Sequence, residues 1–186
     1  MEKITKLLQK WRVRLGHLFG IAVLVFARPE LKWLLVGTFV SLFGEAIRII
    51  SAGYIQKDQE LSRTGPYAFT RNPLYVGSFF MYLGLCIAAS NWIVLLVYIP
   101  FFFIIYYATI FREESYLKEA FKEDYAGFCA DVPRFFPIPW KIKYSKGNGF
   151  SMALSMKNRE YEALIAVCVF LGLMWAMGLT GRHLIH

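Results

Sequence analysis

Three polar sets interrupt an otherwise apolar chain of 186 residues, and each carries side chains able to hold a charged ligand. The first lies in GPYAFTRNPLYVGS, residues 65–78. Arg71 can meet a carboxylate or phosphate through two parallel hydrogen bonds. Pro73 suits the first turn of a helix, where its missing N–H leaves nothing unsatisfied, and a helix starting there aims backbone donors at an anion. Tyr75 and Gly77 follow on the same stretch. The plainer role for Arg71 and Tyr75 is as lipid-facing anchors, one snorkelling to lipid phosphate and the other in an aromatic belt.

The second set is Glu113 and Glu114, directly after twenty apolar residues. Adjacent acids at a membrane edge oppose the negative surface potential, so they invite a cationic partner: a ligand, Arg71 or Arg112. A solvated helix face is the alternative. Glu45 and Arg48 form the third set, three residues apart and on one helix face. Charges inside an apolar helix are expensive enough to point to function, with a structural ion pair as the competing role. There is no dinucleotide fingerprint, phosphate loop or metal-ligand spacing. His17, His183 and His186 sit in or near terminal segments, so neither a catalytic histidine nor a metal site is expected.

The elements that position these sets are read from composition and pattern. Hydrophobic residues make up 57% and charged residues 18%, with mean hydropathy +0.43. That is too little charge to cover a soluble domain, so the expectation is an all-α, polytopic membrane helix bundle. Apolar runs at 15–27, 31–55, 74–90, 92–111 and 161–181 give about five spans, the first of them short. Only Asn91 separates the third from the fourth, which predicts an antiparallel hairpin.

With five spans, seventeen Lys and Arg fall on one side and three on the other. This asymmetry puts the motif loops in the cytosol. The net charge of +8 then suits an anionic leaflet, and no nucleic-acid partner is expected. Cys86, Cys129 and Cys168 form no framework and are expected as free thiols. Leu117, Phe121, Tyr125 and Phe128 recur at helical spacing after the fourth run, until Pro133, Pro137 and Pro139 bar further helix. The predicted organisation is a membrane core over 1–137, a cytosolic linker over 138–160 and an additional C-terminal helix over 161–186.

Taken in order, GPYAFTRNPLYVGS, EESYLKEAFKEDYAGF and VPRFFP resemble the isoprenylcysteine carboxyl methyltransferase family and the related phospholipid N-methyltransferases. The resemblance covers residues 44–137. It implies a compact bundle in which S-adenosylmethionine enters from the cytosol and a lipophilic acceptor arrives from the bilayer. The implied cofactor residues are Tyr67, Arg71, Asn72, Pro73, Tyr75, Gly77, Glu113 and Glu114, with Tyr125 and Arg134 in the region that closes over the cofactor.

Asn72 stands where the family commonly has histidine; it can donate and accept a hydrogen bond but cannot titrate. On the acceptor side the implied residues are Arg48, facing inward to hold an acidic head group, and Glu45 beside it. An isoprenylcysteine-type carboxylate is favoured, with a lipid amine or a thiol as alternatives. Membrane lipids are the expected partners, in a bacterial or archaeal inner membrane or an ER-type membrane. An NADPH-dependent membrane reductase and a non-catalytic adaptor are the remaining alternatives.

Overall fold

The computed structural model describes residues 14–16, 18–56, 60–137 and 149–181. Residues 1–13, His17, 57–59, 138–148 of the linker and 182–186 of the C-terminal segment lie outside the described residues. Among the described residues the regular elements are all helical, with no strand. The long elements are α1 (Arg14–Val25), α2 (Leu31–Ala52), α3 (Pro73–Ala88), α4 (Trp92–Asp131) and α6 (Glu160–Thr180); α5 (Met152–Lys157) is a short helix within the 138–160 segment.

Three of these, α2, α4 and α6, are long and apolar enough to cross a membrane. The other two apolar helices are shorter: α3 has 16 residues and reaches about 24 Å at 1.5 Å per residue, less than the roughly 30 Å of a hydrocarbon core. Length and composition therefore support three spans, and the expected five depended on counting α1 and α3 as well. The surface suits lipid. Leu35, Phe39 and Phe43 of α2, Leu96 and Ile104 of α4, and Ile165, Val169 and Leu173 of α6 are all exposed.

The α3–α4 hairpin forms as expected. The Asn91 side chain caps α4 by accepting from the amides of Ile93 and Val94, relieving two of the orphan donors of a helix start. Tyr98 donates its hydroxyl proton to the Phe79 carbonyl across the pair at 2.7 Å. The fourth run and the amphipathic stretch after it are one element, broken at Lys122 (φ 42°, ψ −114°) and ended before Pro133. Pro100 sits inside the span, where neighbouring groups can satisfy the freed carbonyl.

Helices α2 and α3 share the most extensive interface. Glycine makes it possible. A Cβ on Gly37 would lie 2.4 Å from the Ala88 nitrogen, and one on Gly44 would lie 2.2 Å from the Met81 nitrogen. Added at Gly84 it would lie 2.3 Å from the Ser41 nitrogen, and at Gly77 2.7 Å from the Gly44 carbonyl oxygen. Both pairs are seven residues apart, so each helix lays one small-residue stripe on the other and the backbones touch, as membrane helices favour. The Ser41 hydroxyl donates to the Met81 carbonyl within this seam.

The two ends of the bundle are tied differently. At one end the α1–α2 and α3–α4 turns meet. The Arg28 amide donates to the Ala89 carbonyl at 2.8 Å, and Asn91 Nδ2 donates to the Phe26 carbonyl at 3.0 Å. At the other end the 149–159 segment docks on the end of α2. Asn158 Nδ2 donates to the carbonyls of Ala52 and Ile55, and the Ser151 amide donates to the Gly53 carbonyl. These bonds satisfy carbonyls that the helix end would leave unpaired. They also set the start of α6 beside Arg48.

Candidate functional site

That second end opens into a cavity of about 830 Å³, a size typical of small-molecule sites. Its polar end is lined by Arg48, Tyr67, Arg71, Asn72, Glu113 and Glu160. Its apolar arm runs between the helices, past Phe19 of α1, Met81 and Cys86 of α3, Tyr98 and Phe102 of α4, and Phe170 of α6. From Asn72 to Cys86 along α3 is about 21 Å, and from Glu113 back to Tyr98 along α4 about 22 Å. The cavity is thus a channel parallel to the helices, polar at one end only.

Glu114 organises the polar wall. It is only 7% exposed and buried beneath the cavity. One oxygen accepts from Asn72 Nδ2 at 3.1 Å and faces Arg71 Nη2 at 3.6 Å; the other accepts from Arg134 Nε at 2.9 Å. Asn72 Nδ2 donates a second time, to the Arg134 carbonyl at 2.9 Å, so the amide clasps the chain after α4 to the start of α3. The Arg71 amide and the Thr70 hydroxyl bond the same returning segment, at Pro133, Arg134 and Phe135.

The departure from histidine at position 72 therefore falls on a residue whose two donors are both used in packing. Asn72→Leu keeps the volume and removes both donors. It should lower stability by about 1–3 kcal/mol, the usual penalty for stranding buried acceptors, and a fall in melting temperature checks it.

Above this base, Tyr75 donates to Glu113 Oε2 at 2.7 Å, and the Tyr75 ring meets Tyr106 edge-on at 5.6 Å. Arg71 Nη1 contacts the Cys129 sulfur, while Arg71 Nε is buried with no hydrogen-bond partner. Burial pushes the Tyr67 phenol well above its ordinary range, and the neighbouring Glu113 carboxylate adds to the effect, so Tyr67 stays protonated at neutral pH. On the opposite wall Arg48 bonds Ser78 through Nη1 and Glu160 Oε2 through Nη2 at 2.8 Å; its Nε faces Glu45 Oε2 at 3.6 Å.

Of the residues expected from the sequence, Arg48, Tyr67, Arg71, Asn72, Tyr75 and Glu113 line the cavity. The others stand behind it. Gly77 is a crossing point of the α2–α3 seam, with no room for a ligand beside it. Pro73 is buried at the first turn of α3, and Tyr125 packs with Phe128 beneath Tyr67. Glu114 and Arg134 hold the wall, and Glu45 is 1% exposed behind Arg48. Arg48 lines the cavity with both of its Nη groups bonded to protein, to Ser78 and Glu160, and its Nε buried without a hydrogen-bond partner.

Glu160 and Ser78 were not singled out by sequence. The available signal for Glu160 was an acid at the mouth of the last apolar run, the same placement as Glu113 at the end of the fourth. Among the described residues no cluster of His, Cys, Asp and Glu has the makings of a metal site.

Comparison with known proteins gives a consistent assignment. The profile of the phospholipid methyltransferase family matches residues 15–124. The cobalt-zinc-cadmium resistance protein CzcN of Cupriavidus metallidurans is 33% identical over 140 residues, 68% of this chain and 62% of that protein. The protein-S-isoprenylcysteine O-methyltransferase of Schizosaccharomyces pombe is 30% identical over 95 residues, 51% of this chain and 40% of that enzyme. The chain thus spans less than two thirds of the length of these relatives. No solved structure matches it.

Proposed function

The chain belongs to the phospholipid methyltransferase family, and from that premise we propose that it moves a methyl group from S-adenosylmethionine to a lipophilic acceptor within the membrane. One observation carries this reading: a single cavity joins a charged end built from the shared motifs to an apolar arm running between helices. A polar cofactor and a lipid chain are the two kinds of ligand such a channel accommodates together. The expected orientation, with motif loops in the cytosol, puts the charged end where a soluble cofactor has access.

The residues present fit the cofactor. Arg71 Nε is buried without a partner and its Nη2 stands 3.6 Å from Glu114, while Nη1 is held by Cys129, so the Nε–Nη2 edge of its fork is the part assigned to the cofactor carboxylate. Glu113 offers a carboxylate to the ammonium, and the rings of Tyr75 and Tyr106 suit a positively charged sulfur. When bound, S-adenosylmethionine supplies an electrophilic methyl group. The chain's contribution is then to orient the reactants and to keep water from the apolar arm, which needs no side-chain nucleophile.

Saturable binding of S-adenosylhomocysteine to the detergent-solubilised protein, read by titration calorimetry, tests the reading. A folded protein that binds none overturns it, with NADPH the next ligand to titrate. The arm makes a further expectation. From Ser78 to Cys86 is about 12 Å, a little under half the roughly 30 Å hydrocarbon core, so the apolar arm of the channel is about one leaflet long. Cys86→Phe should narrow it. Methyl transfer to long-chain acceptors should fall about tenfold or more through KM while short-chain acceptors and S-adenosylhomocysteine affinity stay unchanged.

A further inference from the structure

All three cysteines are free thiols, and their surroundings differ. Cys86 is buried in α3 beside the apolar arm, and Cys168 is exposed on α6 among apolar side chains. Cys129 is partly exposed on the last turn of α4, behind the polar wall and outside the cavity. Arg71 Nη1 donates to its sulfur. Tyr125, four residues earlier on the same helix face, packs in the same cluster, and its hydroxyl is buried with no hydrogen-bond partner. The whole residue is only 3% exposed, so bulk water does not supply the missing acceptor. A thiol sulfur is a weak acceptor, so a guanidinium and a phenol both stand beside a group that uses them poorly. A buried orphan donor calls for an explanation, and an oxygen on this sulfur would serve both groups.

We infer that Cys129 is a site of reversible oxidation by a small peroxide, and that its oxidation weakens cofactor binding through Arg71. The coupling rests on the methyltransferase reading of the cavity. The sulfur attacks one peroxide oxygen; the S–O bond forms as the O–O bond breaks, and the thiol proton leaves with the other oxygen. With hydrogen peroxide the products are Cys129 sulfenic acid and water, the sulfur losing the two electrons that the peroxide gains. Partial exposure beside a cation is the setting in which thiols react this way. The new oxygen accepts from Arg71 Nη1 and extends towards the Tyr125 hydroxyl, making better bonds than the sulfur offered. Because the guanidinium is planar and rigid, drawing Nη1 to that oxygen turns the Nε–Nη2 edge away from the place assigned to the cofactor carboxylate. A dithiol reverses the step: one thiol displaces the oxygen as water to give a mixed disulfide, and the second frees Cys129.

The test treats the full chain in detergent with hydrogen peroxide and dimedone, which traps sulfenic acids, and identifies the labelled cysteines by mass spectrometry. Cys129 should label about tenfold or more faster than Cys86 and Cys168, following its exposure and its cation. In parallel, without dimedone, S-adenosylhomocysteine is titrated into reduced, oxidised and dithiothreitol-treated protein. Oxidation should weaken binding about tenfold, and dithiothreitol should restore it. Cys129→Ser should bind equally before and after peroxide, whatever its own affinity.

Labelling of Cys86 or Cys168 in preference to Cys129 overturns the proposal without any variant. So does equal S-adenosylhomocysteine affinity in reduced and oxidised wild type once Cys129 is shown to be oxidised. A loss of binding that Cys129→Ser shares places the damage at another residue and overturns it as well. If reduced wild type binds no S-adenosylhomocysteine, the methyltransferase reading falls and the coupling falls with it, while the labelling decides the oxidation site independently.

Discussion

Arg71→Ala should weaken S-adenosylhomocysteine binding by about a hundredfold, the scale of one lost hydrogen-bonded charge contact of 1.5–3 kcal/mol. The loss should be selective for binding. Glu114 keeps Asn72 at 3.1 Å and Arg134 at 2.9 Å when the Arg71 side chain is removed, so the buried carboxylate is not abandoned. The Arg71 amide still donates to Pro133, and the clasp between α3 and the returning chain survives. Arg71→Lys keeps the charge without the fork and should fall between the two. Calorimetric titration of the three proteins, with melting temperatures alongside, decides it. Undiminished affinity in Arg71→Ala would remove Arg71 from the cofactor site, and a collapse in stability would make it a structural residue.

The largest stability effect should come from the α2–α3 seam. Gly44→Ala and Gly84→Ala each place a methyl group against backbone atoms at 2.2–2.3 Å, a distance no rotamer can relieve. The helices must separate, which loses the Ser41–Met81 hydrogen bond and the close backbone contact together. The expected loss is about 3 kcal/mol or more per site, at the severe end for a single methyl, because backbone cannot move aside as a side chain does. Gly172→Ala, on the exposed face of α6 with open space around it, should be neutral or slightly stabilising through helix propensity. Denaturant or thermal unfolding of the three variants measures the contrast. Equal stability of Gly44→Ala and Gly172→Ala would mean that the seam is looser than these contacts.

Much of this was legible in the chain because membrane helices announce themselves by composition. The apolar runs, the Asn91 turn and the proline stop after α4 correspond to elements, since each depends on local chemistry: burial, capping and a missing N–H. Arg71 and Glu114 were legible in two separate polar sets, and Asn72 through the family motif, but not their division of labour. Only geometry separates Glu113, which lines the cavity, from Glu114, which holds its wall. The role of Gly77 was hidden because a glycine at a helix crossing and one beside a ligand look alike in sequence. Glu160 was missed for another reason. Its neighbourhood to Arg48, 112 residues away, arises from bonds between Asn158 and the end of α2, a long-range contact with no periodicity to betray it.

The backbone-on-backbone seam sets limits on how this protein can diversify. Helices α2 and α3 meet with almost nothing to repack, so the spacing between Arg48 on one and Asn72 at the start of the other is locked. A change of acceptor that required those helices to part would cost the bundle its tightest joint. Helices α1 and α6, by contrast, reach the channel through side chains such as Phe19 and Phe170, which can be exchanged one at a time. Laboratory selection for new acceptors should therefore accumulate substitutions on α1 and α6 and leave the glycine stripes untouched. The scaffold behaves as a fixed jaw and a replaceable one.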